Sequence, residues 1–290
     1  MAGWLARVWI AAINATAAWS VAARARLARV IGDLLWVLVA PRRKVALANL
    51  RACFPLWSEA RRRRVARECF RNVARGVLDH AVLWKGARAD VETLVRVEGL
   101  EHLMDTNNRP LLLIAPHFVG LNAGGLRVNT LVRGVSIYAR QSNAVWDDWL
   151  LRARRRFNDP VLLIRGADLR TAIRAMKDGL PMYYLPDMDN GPQASIFVPF
   201  FGVPAATLPM VSRLARLTNA RVILAVTEMT DTGYVLHFTA PWTDFPGDSI
   251  EADTARMNRE IERWVEKMPA QYLWTHKRFK TRPAGTPAIY

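Results

Sequence analysis

His117 has the surroundings of a residue that does chemistry. It follows an apolar run at 111–115 and Pro116, and small residues crowd behind it at Gly120, Ala123, Gly124 and Gly125. Such residues let a substrate approach the backbone closely. Five residues after the histidine comes Asn122. Five residues of helix turn through about 500°, so two side chains at this spacing face different directions within one helix. They meet only if His117 lies in the loop before the helix and Asn122 in its first turns. The spacing therefore predicts an imidazole presented at a strand end and oriented by a side chain of the following helix, which is the arrangement of a general base. An asparagine there can accept a hydrogen bond from the ring, but it carries no charge to stabilise the imidazolium.

Further ionisable residues end further apolar runs. The run at 135–139 leads into Arg140, that at 161–164 into Arg165, and that at 182–185 into Asp187 and Asp189. If these runs are strands of one open parallel sheet, their carboxyl ends form the ligand-binding rim. A base, two cations and two carboxylates then share it. Stretches of helical periodicity at 143–157, 168–179 and 207–219 alternate with or follow the runs, as expected for a mainly parallel sheet covered by helices. Residues 221–230 and 234–240 read as two more strands joined at Asp231-Thr232-Gly233, followed by a helix from about 250 to 267. Upstream, Ser58 can cap a long helix reaching about Trp84, with Val65, Cys69, Phe70, Val73, Val77, Leu78 and Ala81 on one stripe.

A chain of 290 residues that is 51% hydrophobic can bury a full core. Forty-one Lys and Arg against 25 Asp and Glu give a formal charge of +16, which attracts phosphate-rich surfaces, nucleic acid or an acidic carrier protein. No recognition motif or interleaved aromatic and basic stripe points to specific nucleic-acid binding. The two cysteines, Cys53 and Cys69, have no metal-like spacing and support neither a disulfide framework nor a zinc site. Residues 4–23 are nearly all apolar but are interrupted by Arg7 and Asn14 and rich in alanine. They suit a helix lying in the membrane interface, with Trp4, Trp9 and Trp19 at headgroup depth and the arginines from Arg24 to Arg29 facing phosphates. The apolar run at 30–39 is too short to span and reads equally as core or as a second membrane-contacting helix. The expected fold is α/β, with a mainly parallel central sheet flanked by helices. A membrane-associating helical segment at 1–40 precedes one larger domain at 41–290.

Several blocks together resemble the late acyltransferases of lipid A biosynthesis, within the glycerolipid acyltransferase superfamily. That superfamily is marked by a histidine followed after four residues by an acid, and Ala115-Pro116-His117-Phe118-Val119-Gly120 is close to its lipid A form. The companions are Asp187-Met188-Asp189 with Gly191-Pro192, then Ile196 to Gly202, Ala205-Ala206-Thr207, and the terminal block from Gln271 to Pro283. Ala48-Asn49-Leu50 and Cys53-Phe54-Pro55 are similar to the family's N-terminal region, so the likeness runs from about residue 40 to the end.

The resemblance implies acyl transfer from an acyl carrier protein thioester to a hydroxyl of a Kdo-bearing, phosphorylated lipid A precursor, without metal or diffusible cofactor. The place implied is the cytoplasmic face of the inner membrane. A lysophospholipid or amino-acid lipid acceptor is the nearest enzymatic alternative, and a lipid-binding relative without turnover is the other. The resemblance makes His117 the base, has Arg165 hold a phosphate or developing charge, and has Asp187 position that region. Arg140, Asp189, Gly191, Phe200 and Gly202 are expected to line the substrate. Position 122 departs from the pattern, since Asn replaces the acid, and an acid restored there is expected to speed transfer.

Overall fold

The computed structural model describes residues 2–105, 109–166 and 168–290. Four helices come first: α1 (Ala2–Ala15), α2 (Val21–Leu38), α3 (Ala40–Cys53) and α4 (Glu59–Lys85). Ser58 caps α4 as expected, its hydroxyl accepting from the Arg61 amide at 3.2 Å. Short elements follow at α5 (Arg88–Leu94), β1 (Val95–Glu98) and α6 (Leu100–Met104). The alternating part then runs β2 (Leu111–Ile114), α7 (Leu121–Leu131), β3 (Val135–Tyr138), α8 (Ala144–Arg154), β4 (Val161–Ile164), α9 (Leu169–Lys177) and β5 (Met182–Tyr184). A hairpin of β6 (Ile196–Phe200) and β7 (Val203–Thr207) leads to α10 (Met210–Thr218), β8 (Arg221–Thr230), β9 (Gly233–Phe238) and α11 (Ile250–Lys267).

Seven strands form one sheet in the order β1-β9-β8-β2-β5-β3-β4, parallel throughout except where β8 pairs with β9. Most strands lie where the apolar runs predict. Two features were not read from the sequence: β1, whose Val-Arg-Val-Glu has a single fully buried residue, and the separate β6–β7 hairpin. Alternate residues of the central strands face opposite sides. Leu112, Ile114, Val222, Leu224 and Val226 pack toward α9, α10 and α11, while Leu111, Leu113, Ile223 and Ala225 pack with residues of α7 and α8. α4 supplies Cys69 and Phe70 to the first layer and Ala81, Leu83 and Trp84 to the second.

The order matters for the site. From β2 the chain leaves through α7 toward β3, whereas from β5 it leaves through the hairpin and α10 toward β8. These connections cover opposite faces, so the carboxyl ends of β2 and β5 open onto a topological switch point, where α/β sheets bind ligands. His117 follows β2 and Asp187 follows β5.

The N-terminal helices are tied to this body. Gly32 of α2 lies so close to α4 that a Cβ there would meet the Arg71 Cα at 2.5 Å. Arg24 was expected to face lipid phosphates, but it is 2% exposed and turned inward, its Nε donating to the Asp79 carboxylate at 2.7 Å and its Nη1 to the Trp19 carbonyl. Asp79 also accepts from the Tyr234 hydroxyl at 2.8 Å and pairs with Arg75 at 3.4 Å. Desolvation makes a bare buried carboxylate untenable, and this set of donors compensates for it. Arg24→Ala should therefore lower unfolding free energy by about 3–5 kcal/mol in urea denaturation, the usual cost of breaking one side of a buried pair. A loss below about 1 kcal/mol would mean that α2 is not anchored here.

Candidate active site

The loop after β2 is held on two sides. Ala115 donates to the Tyr184 carbonyl at 2.8 Å, which extends the β2–β5 pairing past the strand ends. On the other side Val119 donates to the Gln271 carbonyl at 2.8 Å, Leu273 donates to the His117 carbonyl at 2.9 Å, and Phe118 forms an antiparallel bridge with Tyr272. Within this frame His117 Nδ1 lies 2.7 Å from Asp187 Oδ1, and the His117 backbone amide donates to Asp187 Oδ2 at 2.9 Å. The Tyr272 hydroxyl donates to Oδ2 at 2.9 Å.

Asp187 is 1% exposed. Burial pushes its pKa upward, but the charge of His117, the hydrogen bonds from its ring and amide, and the more distant charge of Arg278 outweigh burial and hold the carboxyl at about 2. At neutral pH it is a carboxylate and only accepts, so Nδ1 of His117 must carry the proton in this contact. Nε2 is then the basic nitrogen, and no hydrogen bond engages it among the described residues. Tyr272 is pushed far up by burial and by Asp187, so it remains a donor.

Residue 122 does not orient His117. Asn122, in the first turn of α7, instead places its amide 3.2 Å from Nε2 of His80 on α4. His80 is stacked on Trp84 with centroids 3.7 Å apart, and burial pulls its pKa down to about 3, with a smaller push from Arg154. The expected His117–Asn122 contact is thus replaced by two separate pairs, His117 with Asp187 and Asn122 with His80.

The remaining predicted residues divide. Arg140 and Arg165 are exposed at the ends of β3 and β4, on the same rim, and neither side chain forms a hydrogen bond or ion pair among the described residues. Asp189 is half-buried and has partners within the chain. Its carboxylate accepts from Gly191 N at 2.9 Å and from the Thr281 amide and hydroxyl at 2.6 and 2.9 Å, which fastens the terminal segment. Gly191 has φ +91° in this turn. Phe200 is fully buried beneath Arg278, 5.3 Å from guanidinium to ring centroid, so it is core. Gly202, with φ +74°, follows Phe201, with φ +50°, in the two-residue β6–β7 turn, whose left-handed backbone glycine eases. Sequence reasoning did not find Tyr272 as the second holder of Asp187. It also missed Arg278, which is 3% exposed and donates to the Ala206 carbonyl at 2.9 Å and the Thr207 hydroxyl at 2.8 Å. Both lie in the quoted terminal block, but nothing in that block says which residues turn inward.

Comparisons with known proteins show which family the chain resembles. Residues 2–281 match the family model described as bacterial lipid A biosynthesis acyltransferase. The chain is 34% identical over 270 residues to a lipid A biosynthesis lauroyltransferase of Escherichia coli K12, covering 91% of this chain and 88% of that protein. It is 32% identical over 265 residues to a lipid A biosynthesis palmitoleoyltransferase of the same strain, covering 90% and 86%. A lipid A biosynthesis myristoyltransferase, also from that strain, is 32% identical over 252 residues, covering 84% and 76%.

The depressed pKa of Asp187 links the site to stability. Its folded value of about 2 lies below the ordinary 3.8, so the stabilisation is complete above about pH 4 and is lost as pH falls through about 2. The gap in unfolding free energy between the parent and Asp187→Asn should narrow by about 2 kcal/mol as the pH is taken from about 5 toward 2. A gap that stays constant over this range would show that the carboxylate is not held low.

Proposed function

This chain belongs to the bacterial lipid A biosynthesis acyltransferase family and is an acyltransferase, and on that premise we propose that it carries a fatty acyl group from an acyl carrier protein thioester to a hydroxyl of a Kdo-bearing, phosphorylated lipid A precursor, with His117 as general base. The observation that carries the assignment is the 2.7 Å contact between His117 Nδ1 and a buried Asp187 carboxylate, which leaves Nε2 free to take a proton. The acceptor hydroxyl gives its proton to Nε2 as its oxygen attacks the thioester carbonyl. Asp187 fixes the tautomer and stabilises the imidazolium, as the carboxylate of a serine protease triad does. The carrier thiolate leaves and receives the proton. Arg140 and Arg165, exposed on the same rim, suit the phosphates of the acceptor.

Asn122 does not weaken this reading, because its side chain pairs with His80. A carboxylate at 122 would sit against that buried imidazole. It would draw a proton onto His80 and leave His117 with the partner it already has.

Membrane association is part of the proposal. No helix among the described residues is long and apolar enough to cross a bilayer. α1 nevertheless exposes Trp4 (68%), Leu5, Val8 and Trp9 (63%), and α2 exposes Val30, Leu34, Val37 and Leu38. Apolar ridges of this kind beside a basic surface suit a protein lying on the cytoplasmic face of the inner membrane, where carrier protein and acceptor are both within reach.

Two measurements test these statements. With acyl carrier protein donor and lipid A precursor, followed by mass spectrometry, His117→Ala should lower transfer by about two to four orders of magnitude without unfolding the protein, while Asn122→Asp should not raise it. Transfer by His117→Ala near the parent rate would remove the mechanism, and a lysophospholipid preferred as acceptor would change the substrate. In the second measurement, Trp4→Ser with Trp9→Ser should reduce co-sedimentation with anionic vesicles by about tenfold or more, given roughly 1.5–3 kcal/mol for each large apolar side chain buried. Unchanged sedimentation of that variant would place the attachment elsewhere.

A further inference from the structure

The segment that closes over His117 carries a second imidazole that the mechanism above does not use. His276 follows Leu273-Trp274-Thr275, and this stretch is fixed from several sides. Leu273 bonds the His117 carbonyl and Gln271 accepts from Val119. The Gln271 side-chain amide is clamped to β8, accepting from Met229 N at 2.7 Å and donating to Met229 O at 2.9 Å. From α3, Asn49 Nδ2 donates to the carbonyls of Trp274 at 2.8 Å and His276 at 2.7 Å. The result is a His276 ring 5.7 Å from that of His117, centroid to centroid, with the planes at 69°. Among the described residues no hydrogen bond engages the His276 ring. The two rings meet edge to face, so a substrate group beside Nε2 of His117 lies within reach of the His276 ring as well.

The surroundings decide which form His276 takes. Burial pulls its pKa down to about 4, helped by charge on His117, while Asp187 opposes the shift and Arg42 adds a still smaller push downward. Arg42 belongs to this corner, its Nη1 donating to the Thr275 carbonyl at 3.2 Å. At neutral pH the ring is uncharged, keeps one N–H to donate, and does not oppose the positive charge that His117 acquires on taking a proton. A second base would compete for that proton; a neutral donor at a developing oxyanion would not.

We propose that the His276 N–H donates a hydrogen bond to the carbonyl oxygen of the acyl thioester and meets the oxyanion formed there. This rests on the reading of His117 as general base. As the acceptor O–H proton passes to His117 Nε2, the new C–O bond forms and the carbonyl π pair moves onto the oxygen facing His276. When the carbonyl re-forms, the C–S bond breaks and the carrier thiolate leaves with the proton held by His117. The products are an ester and a free thiol, with no covalent enzyme intermediate.

The test uses the full chain with acyl carrier protein thioester and lipid A precursor, comparing the parent with His276→Ala, His276→Phe, His276→Gln and His117→Ala, with thermal unfolding measured alongside. His276→Ala and His276→Phe should each lose about 10²-fold in kcat, the usual cost of removing one oxyanion donor, with KM for both substrates within about threefold. His276→Gln, which restores a neutral N–H donor, should recover at least about tenfold of that loss. His276→Phe keeps the ring volume and so separates packing from hydrogen bonding. A His276→Phe enzyme turning over within about threefold of the parent, or a His276→Gln enzyme no faster than His276→Ala, overturns the assignment. A parent without transfer, or a His117→Ala enzyme as fast as the parent, overturns the reading of the base, and this inference falls with it.

Discussion

One buried carboxylate organises the site. Removing Asp187 from water costs several kcal/mol unless donors replace the lost hydration, and the donors come from two distant parts of the chain. His117 supplies its ring and backbone amide from the end of β2, and Tyr272 supplies its hydroxyl from the terminal segment. The same contacts that make the charge tolerable fix the imidazole's tautomer and direction. The strand order explains why they can form. β5 is inserted between β2 and β3, so residues 70 positions apart leave neighbouring strands at the switch point of the sheet.

Much of this rim was legible in the sequence, because apolar runs ending in ionisable residues mark strand ends wherever those strands are parallel. Leu111–Ile114, Val135–Tyr138, Val161–Ile164 and Met182–Tyr184 follow that logic. Strand order was not legible. It is set by which crossovers pack on which face, and no local pattern encodes that β5 rather than β3 lies beside β2. The pairing of His117 with its acid was therefore assigned to the nearest residue in sequence. Helical geometry allows Asn122 to reach back, but α7 opens at Leu121 and directs residue 122 toward His80 on α4. Aromatic and acidic residues in the quoted blocks proved equally ambiguous. Phe200 is core and Asp189 ties down Thr281, because a motif records which residues matter without saying whether they face ligand or scaffold.

The N-terminal helices show the same division. Their apolar outer ridge was readable as interface-seeking, and Trp4 and Trp9 are indeed exposed. The inward turn of Arg24 was not, since its partner Asp79 lies 55 residues away and only the packing of α2 along α4 brings the two together. An arginine in a basic, apolar helix is normally solvated, and burial at 2% exposure is the exception that a specific acid creates. The helices that carry the exposed apolar ridge are thus part of the packed body that holds the His117 loop, so the ridge and His117 stand in a fixed relation.

The partner of His117 is Asp187 and not residue 122. Long-range nitrogen–proton NMR of histidine-labelled protein reads this directly, because protonated and bare ring nitrogens have well-separated shifts. The parent should show His117 with Nδ1 protonated and Nε2 bare, Asn122→Ala should leave that pattern intact, and Asp187→Asn should disturb it. A His117 ring protonated at Nε2 in the parent, or one that changes with Asn122→Ala and not with Asp187→Asn, would contradict the account.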